Sequence, residues 1–201
     1  MSTRLRSASE SGVLILTLES DDGYPRLERA VMAELFRSTE GLASDRSLKG
    51  AVITGSEQSF ASGAEISELA ELSAANALEF SRSGQRVFRA IESSAKPVVA
   101  AIHGFCMGGG LDLALACHVR IAALDAVFAH PGGALGILTG WGGTQRLPRL
   151  IGRSRAAEFL ATGRRITAHE ALDRGLLTRI IPASNLLSEA VHWAGKSNQH
   201  S

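Results

Sequence analysis

The chain is poor in cysteine, with two in 201 residues. Neither belongs to a C-x-x-C pair or a zinc-type spacing, and Cys106 and Cys117 both lie in an apolar stretch. Buried free thiols and no metal site are therefore expected. Charge of one sign is lacking too: 21 basic against 20 acidic residues leave a formal +1, which gives no reason to expect nucleic acid or a membrane surface as partner. The start, Met1 to Gly12, is polar and leads into only a short apolar run. Neither a secretion signal nor a membrane span is read there, and a cytoplasmic protein is expected. No G-x-S-x-G elbow occurs, so a serine triad on that plan is excluded. Gly108 to Leu113 fails the dinucleotide pattern G-x-G-x-x-G because Leu113 takes the last place, and His103, His118 and His169 share no ligand spacing. What is present, 45% hydrophobic and 20% charged residues, is the makeup of one globular domain over residues 12–201, with 1–11 as a flexible N-terminal tail.

The most informative stretch runs from Pro97 to Cys117. An apolar run of strand length, Val98 to Ile102, is followed by glycines and then by unbroken helix formers from Leu111. Gly108, Gly109 and Gly110 stand where the helix starts. Without a Cβ they let backbone approach a ligand, and the first amides of a helix lack intrahelical partners and carry the positive end of its dipole. Such a turn suits a phosphate or an oxyanion. A second small-residue loop, Ser59 to Ile66, follows the strand-like Val52 to Gly55 and enters another helix. One such turn alone is read as well by tight packing of helix on sheet; two such loops are able to offer one amide each to a single oxygen.

Phe60-Ala61-Ser62-Gly63-Ala64-Glu65-Ile66 together with Lys96 to Gly104 and Gly108-Gly109-Gly110 resembles the enoyl-CoA hydratase/isomerase (crotonase) family. Leu135-Gly136-Ile137, Gly142 to Arg149, Ala161 to Ala168 and Gly175-Leu176-Leu177 match in order, so the resemblance spans roughly residues 12–182. It implies an α/β fold, a ClpP/crotonase-like spiral of ββα units with a shortened C-terminal helical region. The partner implied is an acyl-CoA thioester, with coenzyme A as part of the substrate and no separate cofactor. The family forms trimers and hexamers, which implies a homo-oligomer. The turn after the first strand, which helps hold coenzyme A in the family, is acidic and shorter here.

The resemblance also assigns residues. It maps two oxyanion amides onto Ala64 and Gly109; Ala61, Ser62, Gly63, Glu65, Ile66, Gly108 and Trp141 are expected around the substrate. Asp112, three residues after Gly109, stands where hydratases place their first catalytic Glu. A carboxylate there serves as a general acid or base, although an Asp in a first helical turn also simply complements the dipole. The second catalytic Glu falls on Gly132 and is absent. His130, two residues earlier, is of a residue type often used for proton transfer, yet a lone His is more often an ordinary hydrogen-bonded residue. Trp141 reads equally as acyl-pocket wall or plain core, and Arg146 and Arg149 as structural ion pairs. One carboxylate suits a proton shuttle between carbons better than addition of water. Double-bond isomerisation, hydration, thioester hydrolysis and a catalytically impaired homologue that binds acyl-CoA or a partner remain open at this point.

Along the chain, a first strand is expected at Val13–Leu18, a turn at 19–25 with Pro25 at a helix entry, and a covering helix from Leu27 through Val31, Leu35 and Leu42. A strand at 51–54, a helix at 65–72, an apolar-striped helix at 77–93 and short strands at 118–123 and 127–129 follow. A glycine-rich loop without charge occupies 131–143. Helices are expected near 142–151, 154–162, 168–174 and 186–194.

Overall fold

A computed structural model describes residues 2–56 and 58–196. The chain opens with strands β1 (Thr3–Glu10), β2 (Val13–Ser20) and β3 (Arg26–Leu27), then helix α1 (Arg29–Ser44). Strands β4 (Gly50–Gly55), β5 (Ser59–Ala61) and β6 (Gly63–Ala64) lead into helices α2 (Ile66–Ala70) and α3 (Ala77–Glu92). Next come β7 (Val98–Ile102), β8 (Phe105–Met107), α4 (Gly109–Ala116), β9 (Val119–Ala122) and β10 (Val127–Ala129). A 3-10 turn at Pro131–Leu135 precedes α5 (Gly143–Ile151) and α6 (Arg153–Thr162). The described chain closes with β11 (Ile166–Thr167), α7 (Ala168–Asp173), β12 (Arg179–Ile180) and α8 (Leu186–Gly195).

Six strands form the main sheet in the order β1-β2-β4-β7-β9-β12, parallel except for the antiparallel pair β1 and β2. A second sheet runs β11-β10-β8-β5, and β3 pairs alone with β6. Alternation along the buried strands sends side chains to opposite faces, and two clusters result. Leu16, Leu18, Ile53, Ala100 and Ile102 meet α1, α3 and α4 on one face. Val13, Ile15, Val52, Val99 and Ala101 meet Leu186, Ala190 and Ala194 of α8 on the other.

Two expectations near the N-terminus are corrected. Residues 3–10 are no loose tail but strand β1, in register with β2 from Thr3↔Ser20 to Glu10↔Val13. Its side chains are mostly exposed, so the hydrogen-bond ladder and the Arg4 and Arg6 contacts to Glu19 at 3.0 and 2.6 Å hold it, rather than an apolar pattern. Pro25 does not enter the helix; it precedes β3, and α1 starts at Arg29. The strands and helices expected elsewhere occur with shifted ends, except that the small-residue loop 59–64 is itself made of β5 and β6 and that β8 intervenes before α4. The helix expected at 65–72 shrinks to Ile66–Ala70, with Glu65 as its cap.

Both cysteines are free and buried. Burial pushes the Cys106 thiol well above its usual range and that of Cys117 up to about 12. Among the described residues no helix is long and apolar enough to cross a membrane.

Arg120 is a buried guanidinium with no carboxylate on it among the described residues. Its Nε donates to the Leu176 carbonyl at 3.0 Å, and its Nη1 to the carbonyls of Cys117 and, at 3.3 Å, Ala114. A cation here satisfies the orphan acceptors at the end of α4 and ties them to the segment before β12. Burial lowers its pKa from the usual arginine value. Arg120→Met takes this donor from the Cys117 and Leu176 carbonyls, and urea unfolding should show a loss of about 2 kcal/mol. A loss below about 0.5 kcal/mol would mean that water replaces the guanidinium without cost.

Candidate active site

Two strand-to-helix junctions meet at the centre of the molecule. At the first, β6 pairs with β3, Gly63 opposite Arg26 and Ala64 opposite Leu27. The Ser62 amide donates to the Pro25 carbonyl at 2.8 Å and its hydroxyl does so at 2.9 Å. The Glu65 carboxylate accepts from the amide and hydroxyl of Ser67 at 3.1 and 3.0 Å, and the Arg26 guanidinium stands 3.5 Å away. At the second junction, Gly108 adopts φ +51° and its amide donates to the Ala129 carbonyl at 3.0 Å. Gly109 then begins α4.

The glycines bring these junctions together. A Cβ on Gly109 would lie 3.3 Å from the Ala64 amide nitrogen, and one on Gly63 3.3 Å from the Gly109 nitrogen. The amide nitrogens of Ala64 and Gly109 therefore lie close together, the proximity that two donors to one oxygen require. Gly63 itself sits at φ +110°, a conformation that side-chain-bearing residues seldom adopt.

Asp112, one turn into α4, is the one acidic residue that is fully buried among the described residues. Its Oδ1 meets Nε2 of His130 at 3.1 Å, and the Thr139 hydroxyl donates to its Oδ2. His130 thus gains a partner that its lone appearance in the sequence did not suggest. The cause is the parallel register of β8 and β10: Met107 lies opposite Ala129, so residue 130 emerges beside the start of α4. Gly132 is closed to a second acid. A Cβ there would stand 2.7 Å from the Ile137 carbonyl oxygen, whose own amide bonds the Gly132 carbonyl at 2.9 Å.

Trp141 is buried at 5% exposure and packs on Phe80 and Phe88, with ring centroids 5.3 and 5.8 Å apart. Its six-membered ring covers Gly109, where a Cβ would come within 2.6 Å of Cζ3. Thr139 and Trp141 both come from the loop between Gly136 and Gly142, two glycines at positive φ.

The remaining expected site residues divide. Gly63 and Gly108 border the two amides, while Ser62 holds the loop to Pro25. Ala61 is fully buried in β5, Glu65 is engaged as a helix cap, and Ile66 faces solvent at 67% exposure. Arg146 forms the expected ion pair, with Glu92 at 2.7 Å, and donates to the Trp141 carbonyl at 3.1 Å. Arg149 makes no ion pair among the described residues and lines a polar groove with Arg89 instead. His118 is structural: its Nδ1 accepts from the Val98 amide at 3.0 Å. Thr139 and Gly84 went unnoticed as site residues, because each matters only through a partner far away in sequence.

The architecture is that of known hydratases. A crystal structure of enoyl-CoA hydratase from Bacillus anthracis superposes with a TM-score of 0.89 at 32% identity, over 98% of this chain and 76% of that one. Among characterised relatives, crotonyl-CoA hydratase of Syntrophomonas wolfei is 40% identical over 93% of this chain and 72% of its own length. The short-chain-enoyl-CoA hydratase of Clostridium acetobutylicum is 36% identical over the same shares. The model of the enoyl-CoA hydratase/isomerase family matches residues 8–201. The chain belongs to that family, and it is an acyl-CoA enzyme of the enoyl-CoA hydratase/isomerase type with the expected crotonase-like α/β fold.

Proposed function

We propose that the protein moves the double bond of an enoyl-CoA thioester, with the Ala64 and Gly109 amides on the thioester oxygen and Asp112 as the proton carrier. The observation that carries this reading is the single buried carboxylate beside the paired amides, with Gly132 where a second acid would stand. In a 3-enoyl thioester, the Asp112 carboxylate takes a proton from the carbon next to the carbonyl. The electron pair moves onto the thioester oxygen, where the two amides oppose its charge. The same carboxyl then returns a proton to the far end of the conjugated system, giving the 2-enoyl ester with no net gain of atoms. His130 and the Thr139 hydroxyl hold Asp112 in place. No cofactor beyond the coenzyme A of the substrate takes part. Balanced charge and buried free thiols support a cytoplasmic setting, and the exposed Leu135 and Leu138 beside the site support a homo-oligomer.

Hydration is the second reading, favoured by the hydratase names of the relatives and by His130 on Asp112 Oδ1, a second group able to handle a proton. Mass spectrometry of 2-enoyl-, 3-enoyl- and saturated acyl-CoAs after incubation in heavy water separates the possibilities. A moved double bond carrying deuterium is the expected result. Addition of one water establishes hydration, freed coenzyme A establishes hydrolysis, and binding without change establishes a non-catalytic homologue.

A further inference from the structure

A cavity of about 530 Å³ lies between α1 and α3, walled by Leu27, Met32 and Phe36 on one side and Phe80 and Val87 on the other. Leu27, one of these walls, stands opposite Ala64 in the β3–β6 pair. Trp141 borders it from the side of α4.

Two local features at Trp141 work against stability, and both make sense if a broad flat ring is wanted there. The first is Gly84, inside α3, where glycine is a poor helix former. A Cβ at that position would come within 2.6 Å of the indole Cγ and nearer still to Cδ1 and Nε1. The second is the indole N–H, which is buried without a hydrogen-bond partner, an arrangement that phenylalanine in the same space would avoid. Filling the core calls for neither. The ring is wedged between Gly84 on one edge and Gly109 on the other, between the oxyanion glycine and the helix that walls the cavity.

We propose that Trp141, seated against Gly84, is the residue that sets acyl-chain length, confining the enzyme to short-chain enoyl-CoA esters by filling the space behind the reacting carbons. This rests on reading the amide pair as the thioester site. A shorter side chain at 141 joins the space above Gly109 to the α1–α3 cavity, whose apolar residues then meet the extra methylenes of a longer chain, while Arg29, Glu68 and Arg86 line other parts of it.

The test compares kcat/KM for 3-butenoyl-CoA and for trans-3-decenoyl-CoA in wild type, Trp141→Ala and Trp141→Leu, with circular dichroism to confirm folding. The ratio of decenoyl to butenoyl activity should rise at least about 10-fold in the folded variants. Trp141→Leu keeps apolar bulk in the core and serves if Trp141→Ala does not fold. Gly84→Ala, which presses the ring towards Gly109, should lower the same ratio or leave it at the wild-type value. An unchanged ratio in folded Trp141→Leu that still turns over 3-butenoyl-CoA overturns the proposal, as does a wild type that already prefers the long chain. Absence of turnover by wild type on every ester overturns the reading of the site itself, which is a different result.

Discussion

Asp112→Asn lowers kcat by about 10²–10⁴-fold while the protein keeps its fold. The amide matches the carboxylate in shape and still meets His130 and Thr139, so packing around α4 survives. It does not accept a proton at the pH of the reaction, and no other acidic side chain is buried among the described residues to replace it. The paired amides remain in the variant and supply the residual rate. Steady-state kinetics beside a thermal unfolding curve decides the matter. A kcat within about threefold of wild type would reduce Asp112 to a partner of the helix dipole.

Gly110→Val should be the most damaging single change to stability. A Cβ at Gly110 would lie 2.7 Å from the Ala61 Cβ and 2.8 Å from its carbonyl carbon, with the carbonyl oxygen nearer still. The obstacle is backbone. It belongs to β5, which is held by its pairing with β8 and by the bond from the Phe60 amide to the His103 carbonyl at 3.0 Å. Relief comes only by parting α4 from β5, which also parts Gly109 from Ala64. The expected loss is at least about 3 kcal/mol, a large share of the 5–15 kcal/mol by which domains are stable. For a chain of this size that corresponds to a fall in Tm of at least about 6 °C. A folded variant within about 2 °C of wild type would mean that the junction is slack.

These two residues also show what a sequence reveals and what it hides. The strand, glycine turn and helix around Gly108 to Gly110 were legible because each step is a local signal: a continuous apolar run, residues without Cβ, then helix formers. The stripe through Val87, Phe88 and Ile91 was legible for the same reason. Strand β1 was not, since its stability comes from pairing with β2 and its polar side chains carry no apolar period. The same holds for Arg26–Leu27, two residues whose partner is β6. The surroundings of Asp112 were hidden in another way. His130 and Thr139 reach it only through the register of β8 with β10 and the path of the 136–142 loop, which no neighbouring residue announces. Resemblance supplied Ala64 and Gly109 as a pair, and space left by glycine at 63 and 109 supplies the physical cause.

The two faces of the main sheet serve different ends. Ala64, Gly109, Asp112 and Trp141 all lie on the side of α1, α3 and α4, whereas the opposite face is covered by α8 through Leu186, Ala190 and Ala194. Free energy won or lost beneath α8 reaches the whole fold but touches none of these four residues. The enzyme thus carries a built-in margin for evolution: substitutions under α8 raise or lower tolerance to change elsewhere, and the chemistry is free to drift on the other side of the same strands.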